Sequence, residues 1–102
     1  MEKAFAYVCA DENAPVRLLK KYCRKIYELG YIPICPKLSD GQYLAESADE
    51  RKALQEIARQ KLTRCRMLVA CGSEISRAMA AEIALAEKRN LTCTTMEGLA
   101  RT

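Results

Sequence analysis

The sequence predicts an α/β fold: a three-layer sandwich around a four-stranded, mostly parallel sheet. Three observations carry this expectation. Four short apolar runs alternate with three longer segments of helical periodicity. The runs at 3–10 and 66–72 are continuous rather than alternating in polarity, as in strands covered on both faces. A strand–helix–strand alternation also joins its strands by right-handed crossovers, which makes them parallel. Together these describe a Rossmann-like or flavodoxin-like sandwich in one domain, residues 1–102, with strand order 2-1-3-4.

Each element has a local reason. The run "KAFAYVCA" (3–10) is a buried strand, and "DENAP" breaks it. Asn13 is the expected cap of the first helix, with Pro15 in its first turn, and Gly30 is its stop signal. "YIPICP" (31–36) is the second strand, and "KLSDGQYLAES" is the longest loop. Ser47 opens the second helix, with Glu50 three residues on completing a capping box. That helix turns Leu54, Ile57 and Leu62 inward and ends near Cys65. "RMLVACG" (66–72) is the third strand, "SEISRAMAAEIALAEKRN" (73–90) the third helix and "LTCTTM" (91–96) the fourth strand, followed by a short tail.

Composition narrows the function. Half of the 102 residues are apolar and 29% are charged, ordinary values for a globular chain. No apolar run approaches the ~20 residues that cross a bilayer. The start "MEKAFAYVCA" is too short and too lightly flanked for a signal peptide, so a cytoplasmic protein is expected. The six cysteines are scattered without a C-x-x-C pair, which suits reduced core thiols and gives no metal pattern. With no histidine, acid–base chemistry falls to carboxylates, Tyr, Lys or Cys. The net charge of +4 is concentrated on Arg17, Lys20, Lys21, Arg24 and Lys25, the outer face of the first helix. No aromatic or glycine-rich pattern accompanies it, so a solvated face is expected rather than a nucleic-acid surface.

One residue breaks the pattern. At ~100° per residue, Ile75, Ala78, Met79, Leu85 and Ala86 all fall within about 60° of Glu82. A carboxylate inside an apolar stripe is costly to bury unless something pairs with it or uses it. It also lies where ligands bind in open parallel sheets, beyond the carboxyl ends of the strands. The loops there are "ADENA", "CPKLSDGQYL" and "CGSEISRA". The last leads into a helix N-terminus suited to an anion, with Ser73 and Ser76 as hydroxyl donors.

The segments "AYVCA", "YCRKIYELGYIPICPKL" and "CGSEISRAMAAEIALAEKRNL" resemble the nucleoside 2-deoxyribosyltransferase-like superfamily, in particular its small bacterial and phage branch. The pattern S-x-x-M-x-x-E-I-x-x-A, beginning at Ser76, is the most specific part. The resemblance implies that Glu82 is a nucleophile attacking the anomeric carbon of a nucleoside or nucleotide, and that Tyr7 orients it. It further implies that Ser76 meets a sugar hydroxyl or 5′-phosphate and that Gln42 meets the base, with Cys9 and Ala78 also at the ligand. Relatives build such pockets across subunit boundaries, so a homodimer or higher homo-oligomer is expected, joined through the helix of Met79 and Ile83 or that of Ile57. No cofactor is implied.

This chain departs from the branch at several positions. The loop after strand one is the shorter "DENAP", alanines stand for glycines at Ala78 and Ala58, Lys37 stands for a histidine, and Arg66 replaces an acidic residue. Asp40 and Glu74 are then the nearby carboxyls that remain as proton donors.

Three functions fit these residues. One is a deoxyribosyltransferase or nucleotide N-glycosidase. A second is a non-catalytic module that senses or sequesters a nucleotide signal, including in phage counter-defence. The third is an interface protein in which Glu82 pairs with Arg89 or with a neighbour's arginine. Local roles stand beside the functional ones: Tyr7 as core, Ser76 as helix cap, Gln42 and Asp40 as turn residues.

Overall fold

The computed structural model describes residues 2–44 and 47–101. In chain order the elements are β1 (Phe5–Cys9), α1 (Val16–Glu28), β2 (Ile32–Ile34), α2 (Pro36–Ser39), α3 (Ala48–Thr63), β3 (Met67–Ala70), α4 (Arg77–Lys88), β4 (Thr92–Thr95) and α5 (Met96–Ala100). The four strands form one sheet, ordered β2-β1-β3-β4. Every pairing is parallel, with Tyr7 opposite Ile34 on one side and Leu68 on the other.

Alternation along β1 and β3 splits the core into two layers. Ala6, Val8, Val69 and Cys71 face Leu19 and Ile26 of α1 and Leu99 of α5. Tyr7, Cys9, Leu68 and Ala70 face Leu62 of α3 and Met79 and Ala86 of α4. The two central strands therefore bury both faces, which is why their sequences are continuously apolar. β4 lies at an edge, and its Thr-rich sequence is mostly exposed.

Several local expectations are corrected. Asn13 does not cap α1: Pro15 holds the N-cap position without a side-chain cap. The polar loop is instead closed by Asp11, whose carboxylate accepts from the Asn13 amide at 2.8 Å and whose carbonyl accepts from the Ala14 amide at 3.0 Å. β2 shrinks to three residues, Ile32–Ile34, because Cys35 already serves as the N-cap of α2, and the edge position tolerates Pro33, which has no amide to give. The long loop contains the short α2, although residues 45–46 of that loop lie outside the described residues. The tail also forms a helix, α5, because the Thr95 hydroxyl caps it by accepting from the Gly98 amide at 2.9 Å. The third helix begins at Arg77 rather than near residue 73, where the Ser76 hydroxyl accepts from the Met79 amide at 3.2 Å. Ser47 caps α3 as expected, and Gly30 ends α1 at φ +101°, a conformation glycine adopts freely.

Candidate functional site

The position of Glu82 follows from the cap on its helix. Starting α4 after Ser76 turns Met79, Glu82 and Ala86 toward the sheet, at spacings of three and four residues. Met79 and Ala86 are fully buried, and Glu82 is held between them, half-buried. Across from it, Tyr7 in the middle of β1 points into the same layer. The two meet: the Tyr7 hydroxyl donates to Glu82 Oε2 at 2.5 Å, 75 residues apart in sequence. This is a charge-assisted bond between a nearly buried phenol (3% exposed) and a half-buried carboxylate.

Burial pushes the Glu82 carboxyl above the ordinary carboxylate range, and the Tyr7 hydroxyl and the Cys9 thiol, both donating to it, pull it partly back. Burial pushes the Tyr7 phenol up as well, with the Glu82 charge beside it adding to the effect. The hydrogen-bonding proton therefore stays on the tyrosine, with Glu82 as the acceptor. Burial likewise raises the Cys9 thiol, with Glu82 as the next cause, and that sulfur also lies 3.8 Å from the Met79 carbonyl. Among the described residues Glu82 carries no ion pair, either with Arg89 or with another cation.

Asp40 is held by a separate network at the end of α2. Its carboxylate accepts from Lys61 Nζ of α3 at 2.5 Å, from the Tyr43 hydroxyl at 2.9 Å and from the Ser39 hydroxyl at 3.1 Å. Burial works to raise this carboxyl, but the bonds from Lys61, Tyr43 and Ser39 outweigh it and hold the group below the ordinary range. Nothing in the turn sequence pointed to Lys61, which lies 21 residues along the chain. Replacing Asp40 by Ala is expected to lower stability by about 2 kcal/mol, less than a fully buried pair because Lys61 is 35% exposed. A depressed carboxyl stabilises the fold above its unfolded pKa and loses that contribution as pH falls through the folded value. Denaturant titrations of both proteins should therefore show the gap at neutral pH and its closure in acid.

The remaining candidates separate. Ser76 serves as the α4 cap, and Ala78 lies in the first turn of the same helix, half-buried. Gln42 is exposed. Ser73 and Glu74 line a cleft of about 370 Å³ together with Asp11, Asn13, Tyr22 and Cys71. That cleft lies between the loops after β1 and β3 on the α1 side, and its lining includes neither Tyr7 nor Glu82. Thus Tyr7, Cys9 and Glu82 form one constellation, and Ser73 and Glu74 belong to another face. Among the described residues no group of three or more metal-ligating side chains is assembled.

The architecture is that of a small parallel α/β protein with a half-buried carboxylate held by a phenol of its central strand, on the α3–α4 side of the sheet. The chain belongs to the family described as "Domain of unknown function (DUF7768)", whose model matches residues 5–96. No curated protein matches it in sequence. Among solved structures it is similar to the 2-deoxyribosyltransferase of the psychrotolerant bacterium Bacillus psychrosaccharolyticus, with a TM-score of 0.75 and 11% identity. The match covers 90% of this chain and 71% of the other. At that identity the likeness is one of fold. No helix among the described residues is long and apolar enough to cross a membrane.

Proposed function

We propose that the protein processes nucleosides or nucleotides by cleaving or exchanging an N-glycosidic bond, with Glu82 as nucleophile. The observation that carries the proposal is the Tyr7–Glu82 hydrogen bond, which fixes one carboxylate oxygen and leaves Oε1 for chemistry. The fold shared with a 2-deoxyribosyltransferase supports the substrate class. In this reaction Oε1 forms a bond to the anomeric carbon while the glycosidic C–N bond breaks, and its electron pair leaves with the base. The departing base takes up one proton. Water or a second base then attacks the same carbon, displaces Glu82 and restores the carboxylate. In this reading Tyr7 orients the carboxylate and favours its ionised form, Cys9 donates to it, Ser76 meets a sugar hydroxyl or 5′-phosphate, Gln42 the base, and Ala78 the ligand.

A second reading has its own observation. Asp40 is held ionised by Lys61, so it is poorly prepared to supply the proton that a departing base needs. Without another donor the same pocket holds an intact nucleotide, as a sensor or a sequestering protein. Incubation with a panel of nucleosides, deoxynucleotides and cyclic nucleotides, followed by chromatography, separates the two. Free base supports the enzyme, intact nucleotide recovered with the protein supports the module, and neither product refutes both.

Self-association belongs to the same proposal. Met79 is fully buried within its own chain and is not available for a contact, whereas Ile57 and Ile83 stay half-buried. A dimer joined through these faces of α3 and α4 is expected in sedimentation at tens of micromolar, and a monomer there counts against it.

A further inference from the structure

The α1 side of the sheet carries a depression that the chemistry above does not use. A groove of about 540 Å³ lies between α1 and Gly72 and Met96, which come after β3 and β4. From α1 it takes Leu18, Lys21, Tyr22 and Lys25, the i, i+3, i+4 and i+7 positions of one helical face, and Glu28 a turn further on. Leu18, Tyr22 and Met96 are half-buried, and Tyr22 and Met96 pack on the core layer opposite the one that holds Tyr7. Lys21, Arg24, Lys25 and Glu28 are exposed beside them. Glu28 is taken by Arg24 at 3.3 Å, whereas Lys21 and Lys25 make no ion pair among the described residues. The groove is thus an apolar strip edged by uncompensated positive charge.

We propose that this groove docks an acidic amphipathic helix of a partner protein, with its apolar residues on Leu18, Tyr22 and Met96 and its carboxylates against Lys21 and Lys25. Charge complementarity selects the sign of the partner, and the apolar strip selects its shape. From Leu18 to Glu28 the groove follows α1 for roughly 15 Å, close to three helical turns. A partner helix laid along it presents its own i, i+3, i+4 and i+7 residues to the strip, the recurring helix-in-groove arrangement. Met96 is an adaptable surface for such anchors, and the lysine stems flank them while the ammonium groups stay in water. A second copy of this chain does not supply that helix. Within Ala48–Thr63 of α3 basic residues outnumber acidic ones, and within Arg77–Lys88 of α4 the two signs balance.

Other anionic partners use only part of the surface. A nucleic-acid backbone would meet the charges and leave Leu18 and Met96 without an apolar contact. A bilayer needs a projecting apolar face to insert, and here the apolar side chains are recessed and half-buried. The helix also carries its own comparison. Arg17 and Lys20 belong to the same basic face but do not line the groove, so they share its long-range field without its contacts. A docked helix depends on Lys21 and Lys25, whereas diffuse attraction to the whole face depends on all four alike.

The test is fluorescence anisotropy of the full chain with labelled three-turn peptides, stapled to hold them helical. One peptide bears leucines at i, i+3, i+4 and i+7 with glutamates elsewhere, and a second scrambles the same composition. The first is expected to bind saturably in the micromolar range, and the scrambled one about tenfold more weakly because its anchors no longer share a face. Lys21→Glu with Lys25→Glu should weaken the first peptide by about tenfold or more. Arg17→Glu with Lys20→Glu changes the net charge equally and should cost about twofold at most, since screening blunts charges outside the contact. Circular dichroism melts check that both variants fold. No saturable binding of the first peptide, equal binding of the scrambled one, or equal losses from the two double substitutions overturns the proposal. So does tighter binding of a short DNA or RNA duplex, or of vesicles of phosphatidylserine and phosphatidylcholine, than of the first peptide. A dimer that Lys21→Glu with Lys25→Glu dissolves in sedimentation overturns it too, because the occupant is then a second copy.

Discussion

Glu82→Gln is expected to slow glycosidic-bond cleavage by about 10⁴-fold or more, the scale seen when a nucleophile is removed from a reacting unit. Affinity for the nucleoside should change far less, since the amide keeps the shape and still accepts from Tyr7. The same substitution has a defined effect on stability. The Glu82 carboxyl is raised in the fold by burial, so the folded protein is penalised at pH values above its folded pKa, where the group is ionised. Gln removes that penalty. The variant should therefore melt at or above the wild-type temperature at neutral pH, and this margin should shrink as pH falls through the folded pKa of Glu82. Glu82→Ala is less clean, because it leaves the buried Tyr7 hydroxyl without an acceptor at a cost of about 1–3 kcal/mol. If Glu82 instead pairs with a neighbouring subunit's arginine, the sign reverses. Removing one partner of a buried pair then costs roughly 3–5 kcal/mol and breaks the assembly into monomers.

The second large effect is expected at Tyr7. Tyr7→Phe deletes the hydroxyl that holds Glu82 Oε2 and should reduce turnover by about 10²-fold, the scale of losing one preorganised hydrogen bond. That hydroxyl also lowers the Glu82 pKa against the effect of burial. Without it the carboxyl rises further, and the acidic limb of the rate–pH profile should move to higher pH. A Tyr7 that is merely core would leave the profile in place. Stability should fall by about 1–3 kcal/mol at neutral pH, because a half-buried carboxylate loses its donor.

The fold was legible because its signals are local and redundant. The continuous apolar runs around Tyr7 and Leu68 were short and bounded by turn residues, as strands buried on both faces are, and Gly30 by its backbone and Ser47 by its hydroxyl marked helix ends. Where a cap was misassigned, a neighbour competed for the same role: Asp11 took the turn expected of Asn13, and Pro15 took the N-cap. Helix α5 was missed because five residues give too short a periodicity, although Thr95 carried the cap.

The site was legible only in part. Glu82 stood out because burial makes a carboxylate on an apolar stripe anomalous from sequence alone, and Tyr7 entered through resemblance. Contacts between distant segments left no local trace. The Lys61–Asp40 pair joins residues 21 apart, and the Tyr7–Glu82 bond joins residues 75 apart. Ser73 and Glu74 were grouped with Glu82 because they precede the same helix. The residues before Arg77 are not helical, and they turn toward the α1 face instead.

The claim on which the functional account stands is that Glu82 forms a bond to the sugar. Rapid acid quenching of the protein with 2′-deoxynucleosides, in the absence of an acceptor base, followed by intact mass and peptide mapping, tests it directly. The account predicts a mass increase of one deoxyribosyl group, located on the peptide containing Glu82 and absent from Glu82→Gln. Release of free base with no adduct at Glu82 and undiminished turnover by Glu82→Gln would contradict it.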